Sequence, residues 1–159
     1  MIKVEVVGVR VDQMANTPAM RLKESVLPHR YFDIFIGAPE AASIHTALEG
    51  TEMPRPLTHD LFVLALRKIE VVLKQVVITE MVSGTYYAEM TLTSQGVDNV
   101  ISCRPSDGVA LAVRAQCPIF IQDALIDDVG KVSPEADEEN ILEEFKDFID
   151  TIKPEDFLA

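Results

Sequence analysis

Hydrophobic and polar residues alternate from the start of the chain. Ile2, Val4 and Val6 are interleaved with Lys3 and Glu5, and Val7, Val9 and Val11 then alternate with Gly8 and Arg10. A period of two marks a strand, and the change of phase predicts a bulge near Gly8. Further β-rich runs cover residues 19–26, 31–36, 71–82, 85–93 and 97–103, with a short one at 118–121. Ser83-Gly84 between two of these runs is a hairpin signal. Pro39 at a first helical position, Glu40 in the first turn and Gly50 as a stop frame a helix with Ile44 and Leu48 on its apolar stripe. Two later helical segments, one running to about Ile69 and one starting at Ser106-Asp107, are apolar nearly all round, which predicts burial for both.

These two helices share an entry. Arg55-Pro56-Leu57-Thr58-His59-Asp60 leads into the first, and Arg104-Pro105-Ser106-Asp107 leads into the second. Aligning Asp60 with Asp107 also matches Leu64 with Leu111, Ala65 with Ala112 and Arg67 with Arg114. Thr58, and Ser106 or Asp107, are the expected N-caps. The predicted fold is α+β: a mixed, mostly antiparallel sheet with two buried helices from the internal repeat, one outer helix and a C-terminal acidic helix. Two small βαβ-like halves related by pseudo-symmetry are the alternative.

Charge divides the chain. Residues 1–122 carry 13 acidic and 11 basic side chains, whereas residues 123–159 carry 13 acidic and 3 basic. Residues 1–122 are thus nearly neutral, and residues 123–159 account for −10 of the net charge of −12; a domain is expected over 1–128 and a tail over 129–159. In that tail Ile141, Leu142, Phe145, Phe148, Ile149 and Ile152 recur at helical spacing, an amphipathic helix following an acidic linker. Such a face is expected to dock on its own protein. A basic nucleic-acid footprint is missing. No apolar run reaches the roughly 20 residues a membrane span needs, and the N-terminus reads as a strand and not as a signal peptide. A cytoplasmic protein is expected. Cys103 and Cys117 flank the second apolar helix. At ~1.5 Å rise per residue its ends are too far apart for a disulfide, so two buried thiols are expected.

The repeated entries collect reactive side chains at helix N-termini, where free N–H groups favour anions. Arg55, Thr58, His59 and Asp60 come from one copy, and Arg104, Ser106 and Asp107 from the other. If the helices lie side by side these groups converge, and Glu40 can join them. Carboxylates and an imidazole suit a divalent cation, and arginines grip phosphate. Capping and bracing of the turns explain the same residues without any chemistry. There is no His-Glu-x-x-His, no Gly-rich phosphate loop and no Cys-x-x-Cys. Tyr86 and Tyr87 are candidates for base stacking, but neighbouring strand residues face opposite ways, so one of them belongs inside.

At these residues the chain resembles the bifunctional nuclease domain family, whose members are described as acting on DNA and RNA. The resemblance is carried by Ile36-Gly37 with Glu40-Ala41, Ala47-Leu48-Glu49-Gly50, Arg55 to Leu61, Gly84-Thr85-Tyr86-Tyr87-Ala88, Arg104 to Ala112 and Pro118-Ile119-Phe120. Gly108 stands where many relatives carry Ala. The tail lacks the helical hairpin that some relatives append and looks instead like the endings of actinobacterial members. The resemblance implies a nuclease that hydrolyses phosphodiester bonds, with nucleic acid as partner, Mg²⁺ or Mn²⁺ as cofactor and no organic cofactor. In that reading Asp60 and Asp107 are metal ligands or bases, His59 is a base or ligand, and Arg55, Arg104 and Ser106 hold phosphate. A homodimer is the expected assembly for such a domain with β edges. The competing reading is a non-catalytic regulatory or protein-interaction module that works through its acidic C-terminal helix.

Overall fold

The structure, a computed structural model, describes residues 1–12 and 14–132. Its first half forms an antiparallel meander, β1 (Ile2–Asp12), β2 (Thr17–Glu24) and β3 (Tyr31–Phe35), followed by helix α1 (Ala38–Leu48). After α2 (Thr58–Lys68), the second half repeats that order: β4 (Val72–Val82), β5 (Thr85–Ser94) and β6 (Val97–Cys103) form a meander followed by α3 (Pro105–Ala115). A short β7 (Ile119–Ile121) and helix α4 (Asp123–Val129) follow. All seven strands join one sheet in the order β3-β2-β1-β7-β4-β5-β6, antiparallel except for the β4–β7 pair. The class is α+β, as predicted.

Several local predictions are met for the reasons that generated them. The register of β1 on β2 slips between Val6 and Gly8, which is the bulge that the phase change implied. Ser83 and Gly84 both take positive φ, 50° and 80°, so the β4–β5 connection is the two-residue turn whose twist matches the strands. Helix α4 went unrecognised: seven residues, three of them aspartate, give no legible apolar stripe. It nevertheless buries Leu125 and Ile126.

Burial of the two repeated helices is not equal, and here the prediction fails for one of them. Helix α3 is buried as expected, with Val109, Ala110, Leu111 and Ala112 all inside. Gly108 lets it approach the sheet closely. A Cβ there would lie 2.9 Å from Val76 Cγ1 and 3.1 Å from Cys103 Sγ. Helix α2 buries only Val63 and leaves Leu61, Phe62 and Leu64 exposed. It packs beside α3 and only lightly on β4, so an apolar sequence all round did not find a partner all round. The helix that matches α3 in topology is α1, because each closes a three-stranded meander. The caps differ too. The N-cap residues are Leu57 and Arg104, and Thr58 is the first residue inside its helix.

The core joins both halves through Met20, Leu22, Phe32, Ile44, Ile78 and Ile121. The sheet curls enough to bring the β4–β5 hairpin across to β3, where the rings of Phe32 and Tyr86 stack 6.3 Å apart. Tyr86 is thus the inward-facing tyrosine, and Tyr87 is exposed. Buried Glu24 holds Arg30 at 2.7 Å, and Arg30 reaches Asp127 on α4, also at 2.7 Å. Lys131 pairs with Tyr31 in an isolated antiparallel bridge. The acidic linker from residue 133 onward and the amphipathic helix expected over 141–152 lie outside the described residues. Among the described residues no helix is long and apolar enough to cross a membrane. Cys103 and Cys117 are free and half-buried, and burial pushes both thiols up to about 11.

The close approach of α3 to β4 gives a direct check. Replacing Gly108 with Val should overpack the contact with Val76 and destabilise the fold by roughly 1–3 kcal/mol. Urea unfolding should show a lower midpoint at unchanged slope.

Candidate active site

Three helix starts meet at one edge of the molecule. Glu40 is the third residue of α1 and Asp107 the third residue of α3, each just after a proline in the first turn. Proline suits that position because its missing N–H would have no partner there, and an acid suits it because of the helix dipole. Two such carboxylates brought together would repel, and Arg104 lies between them. Its Nε and Nη2 donate to Asp107 at 2.7 and 3.0 Å, and Nη2 also reaches Glu40 Oε1 at 2.9 Å. Arg104 holds the Asp107 carboxyl below the usual carboxylate range, with His59 a smaller contributor. Gly37 makes room for this: a side chain there would collide with the Glu40 carboxylate.

His59, from the first turn of α2, completes the group. Its Nε2 lies 3.5 Å from Asp107 Oδ1 and its Nδ1 lies 2.9 Å from Ser43 Oγ on α1. Ser43, Glu40, His59, Arg104 and Asp107 all line one open cleft of about 700 Å³, together with Leu57. Arg104 also borders a second cleft of about 320 Å³, whose walls include Ser106, Thr85 and Tyr86. Ser106 is only 6% exposed, and its hydroxyl has no hydrogen-bond partner among the described residues. Arg55 lies exposed on the loop ahead of α2 and forms no ion pair among the described residues.

Asp60 serves a different purpose. One carboxylate oxygen accepts the Leu57 backbone N–H at 2.9 Å, satisfying a free donor at the start of α2, and the other pairs with Arg114. Those two contacts, Arg114 first, hold its carboxyl below the usual range. Arg114, whose side chain is 8% exposed, also donates to the carbonyls of Ala110 at 2.9 Å and Ser43 at 3.1 Å. A chain of contacts thus runs from α2 through α3 to the turn of α1 that carries Ser43. The two aspartates expected to share a pocket do not: Asp107 lines the cleft, and Asp60 turns toward Arg114. Nor do they fit a resident divalent cation. Each aspartate is engaged by an arginine, and among the described residues no three His, Cys, Asp or Glu side chains gather at coordinating range.

Two of these residues escaped the sequence reading. Ser43 belongs to no motif, although it sits three residues after Glu40 and hence on the same helical face. Arg114 was visible only as the far end of the repeat.

Glu40, Ser43, His59, Arg104 and Asp107 all lie within the span that matches a known family. The sequence model of the bifunctional nuclease domain matches residues 20–134, and the chain belongs to that family. Two proteins of Mycobacterium tuberculosis, from strains CDC 1551 / Oshkosh and H37Rv, are each 40% identical to it over 166 residues. The match covers 99% of this chain and 98% of theirs, and both are described as uncharacterized. Relatives of that origin agree with the actinobacterial character of the tail.

The Asp60–Arg114 pair predicts an acid-dependent loss of stability. A carboxyl whose pKa is depressed by folding stabilises above its unfolded value, near 3.9, and loses that contribution as pH falls through the folded value. Asp60→Asn should therefore destabilise by about 2 kcal/mol at neutral pH. In thermal melts followed by circular dichroism, the gap from wild type should close below about pH 4.

Proposed function

We propose that the chain is a nuclease hydrolysing phosphodiester bonds in DNA or RNA, with the cleft between α1, α2 and α3 as its active site. The observation that carries this reading is the convergence of His59, Arg104 and Asp107, from two different helices, on one solvent-open cleft beside Glu40 and Ser43. Arg104 spends Nε and Nη2 on carboxylates and keeps the two hydrogens of Nη1 for a phosphate oxygen. Its position between two clefts suits a scissile phosphate with a nucleoside on either side. Exposed Arg55, next in sequence to Pro56 of the cleft wall, supplies a second cation. His59 accepts the proton in the bond-breaking step, and Asp107 stabilises the imidazolium that forms. Asp60 supports the site through Arg114. Family membership supports the reaction class. The arrangement works without a resident cation, and a cation entering with the phosphate is tested by chelation.

A second reading, a protein-interaction module, draws on the exposed Leu61, Phe62 and Leu64 of α2. Turnover separates the two.

Full-length protein incubated with end-labelled single-stranded DNA and RNA, with Mg²⁺, with Mn²⁺ or with EDTA, should cleave at least one of them. His59→Ala should lower kcat by roughly 10²–10⁴-fold, the usual contribution of a positioned acid–base group. Arg104→Lys, which removes the planar fork, should raise KM more than it lowers kcat. Cleavage unchanged in His59→Ala would assign the activity to a contaminant.

A further inference from the structure

We infer that Ser43 is the attacking nucleophile of the cleft and that phosphodiester cleavage proceeds through a phosphoseryl intermediate. This rests on the nuclease reading and makes it specific. The starting point is His59, whose two ring nitrogens are both taken: Asp107 faces Nε2 at 3.5 Å, and Ser43 Oγ lies 2.9 Å from Nδ1. An ionised carboxylate only accepts hydrogen bonds, so the ring proton belongs on Nε2. Nδ1 then presents its lone pair to the Ser43 hydroxyl. The one proton His59 can remove without giving up a neighbour is the proton of Ser43, because a hydrolytic water would first have to displace the serine. Hydroxyl, imidazole and carboxylate stand in series, the arrangement that activates serine in unrelated hydrolases, with the roles of the two ring nitrogens exchanged.

The surroundings fit that use. Ser43 is half-buried and lines the 700 Å³ cleft that also exposes Arg104. Thr46, one turn further along α1, spends its hydroxyl on the Ala42 carbonyl at 2.8 Å; the Ser43 hydroxyl goes to the imidazole instead. The backbone under Ser43 is anchored from the other side, where Arg114 donates to its carbonyl at 3.1 Å and is itself held by Asp60. A nucleophile must be held in place, and this contact does so from a nearly buried guanidinium.

In the first step Ser43 Oγ bonds to phosphorus, its proton passes to His59 Nδ1, and the bond to the leaving nucleoside oxygen breaks. That oxygen takes the proton back from Nδ1. In the second step water attacks the phosphoserine, gives a proton to His59, and Oγ departs and recovers it. Water is the only co-reactant.

The experiment has two arms on the full chain. In the first, bis(p-nitrophenyl) phosphate is mixed with enzyme, quenched in acid and the protein weighed intact. Wild type should show a burst of p-nitrophenolate near one equivalent and a single p-nitrophenylphosphoryl adduct on the peptide containing Ser43. In the second, a fluorophosphonate probe should label Ser43, with labelling reduced roughly 10²-fold or more in His59→Ala. Ser43→Ala should lose adduct, label and turnover together, while Ser43→Cys, a second variant checked for folding by its melting curve, should keep the adduct. If His59→Ala abolishes turnover but Ser43→Ala retains it within about threefold, with no adduct in wild type, water is the nucleophile; the inference falls and the nuclease reading stands. If Ser43→Ala lowers turnover yet wild type gives neither burst nor label, Ser43 only orients His59 and the inference also falls. No turnover by wild type on either nucleic acid or the diester, with no label, overturns both.

Discussion

One guanidinium holds the centre of this molecule's chemistry in shape. The first turns of α1 and α3 each present a carboxylate, and the fold brings them within reach of a single arginine, Arg104, itself the residue that opens α3. The cost of bringing like charges together is met by the cation between them. These are exposed pairs, with the Arg104 side chain 65% accessible, and water screens most of their attraction. The cluster therefore adds little to global stability, which comes from the apolar core. What it fixes is position: Asp107 is turned toward His59, and His59 toward Ser43.

Rigidity comes from beneath. Helix α3 lies on β4 with only the hydrogen of Gly108 in between, so the turn that carries Arg104 and Asp107 is seated on the core and does not hang from a loop. Helix α2 is different. It touches the body along one side, and His59 is held against α1 and α3 by polar contacts at its first turn. The site thus has two walls set by close packing and a third held by hydrogen bonds and by the Asp60–Arg114 pair.

How far the residues announced this follows from which forces are local. Strand period, the bulge at Gly8 and the Ser83-Gly84 turn depend on neighbours in sequence, and each is legible there. Glu40, His59, Arg104 and Asp107 are legible as well, because helix starts have their own grammar of proline and acid. The pairing of α1 with α3 is not, since strand order alone makes them equivalent, and the similarity of α2 to α3 in sequence points elsewhere. Nor is the division of labour between the two aspartates. Asp60 and Asp107 occupy matching positions in sequence, and only packing decides that one meets Arg114, seven residues beyond the other on α3, while its counterpart lines the cleft beside Arg104 and His59.

The two native cysteines carry a practical consequence. With both thiols half-buried and pushed up to about 11, only about one in 10⁴ is a thiolate at neutral pH, and the thiolate is the species that reacts. A cysteine introduced on an exposed surface would then outcompete them for maleimide by orders of magnitude. A fluorophore or spin label can be attached at one chosen point while the wild-type thiols remain in place.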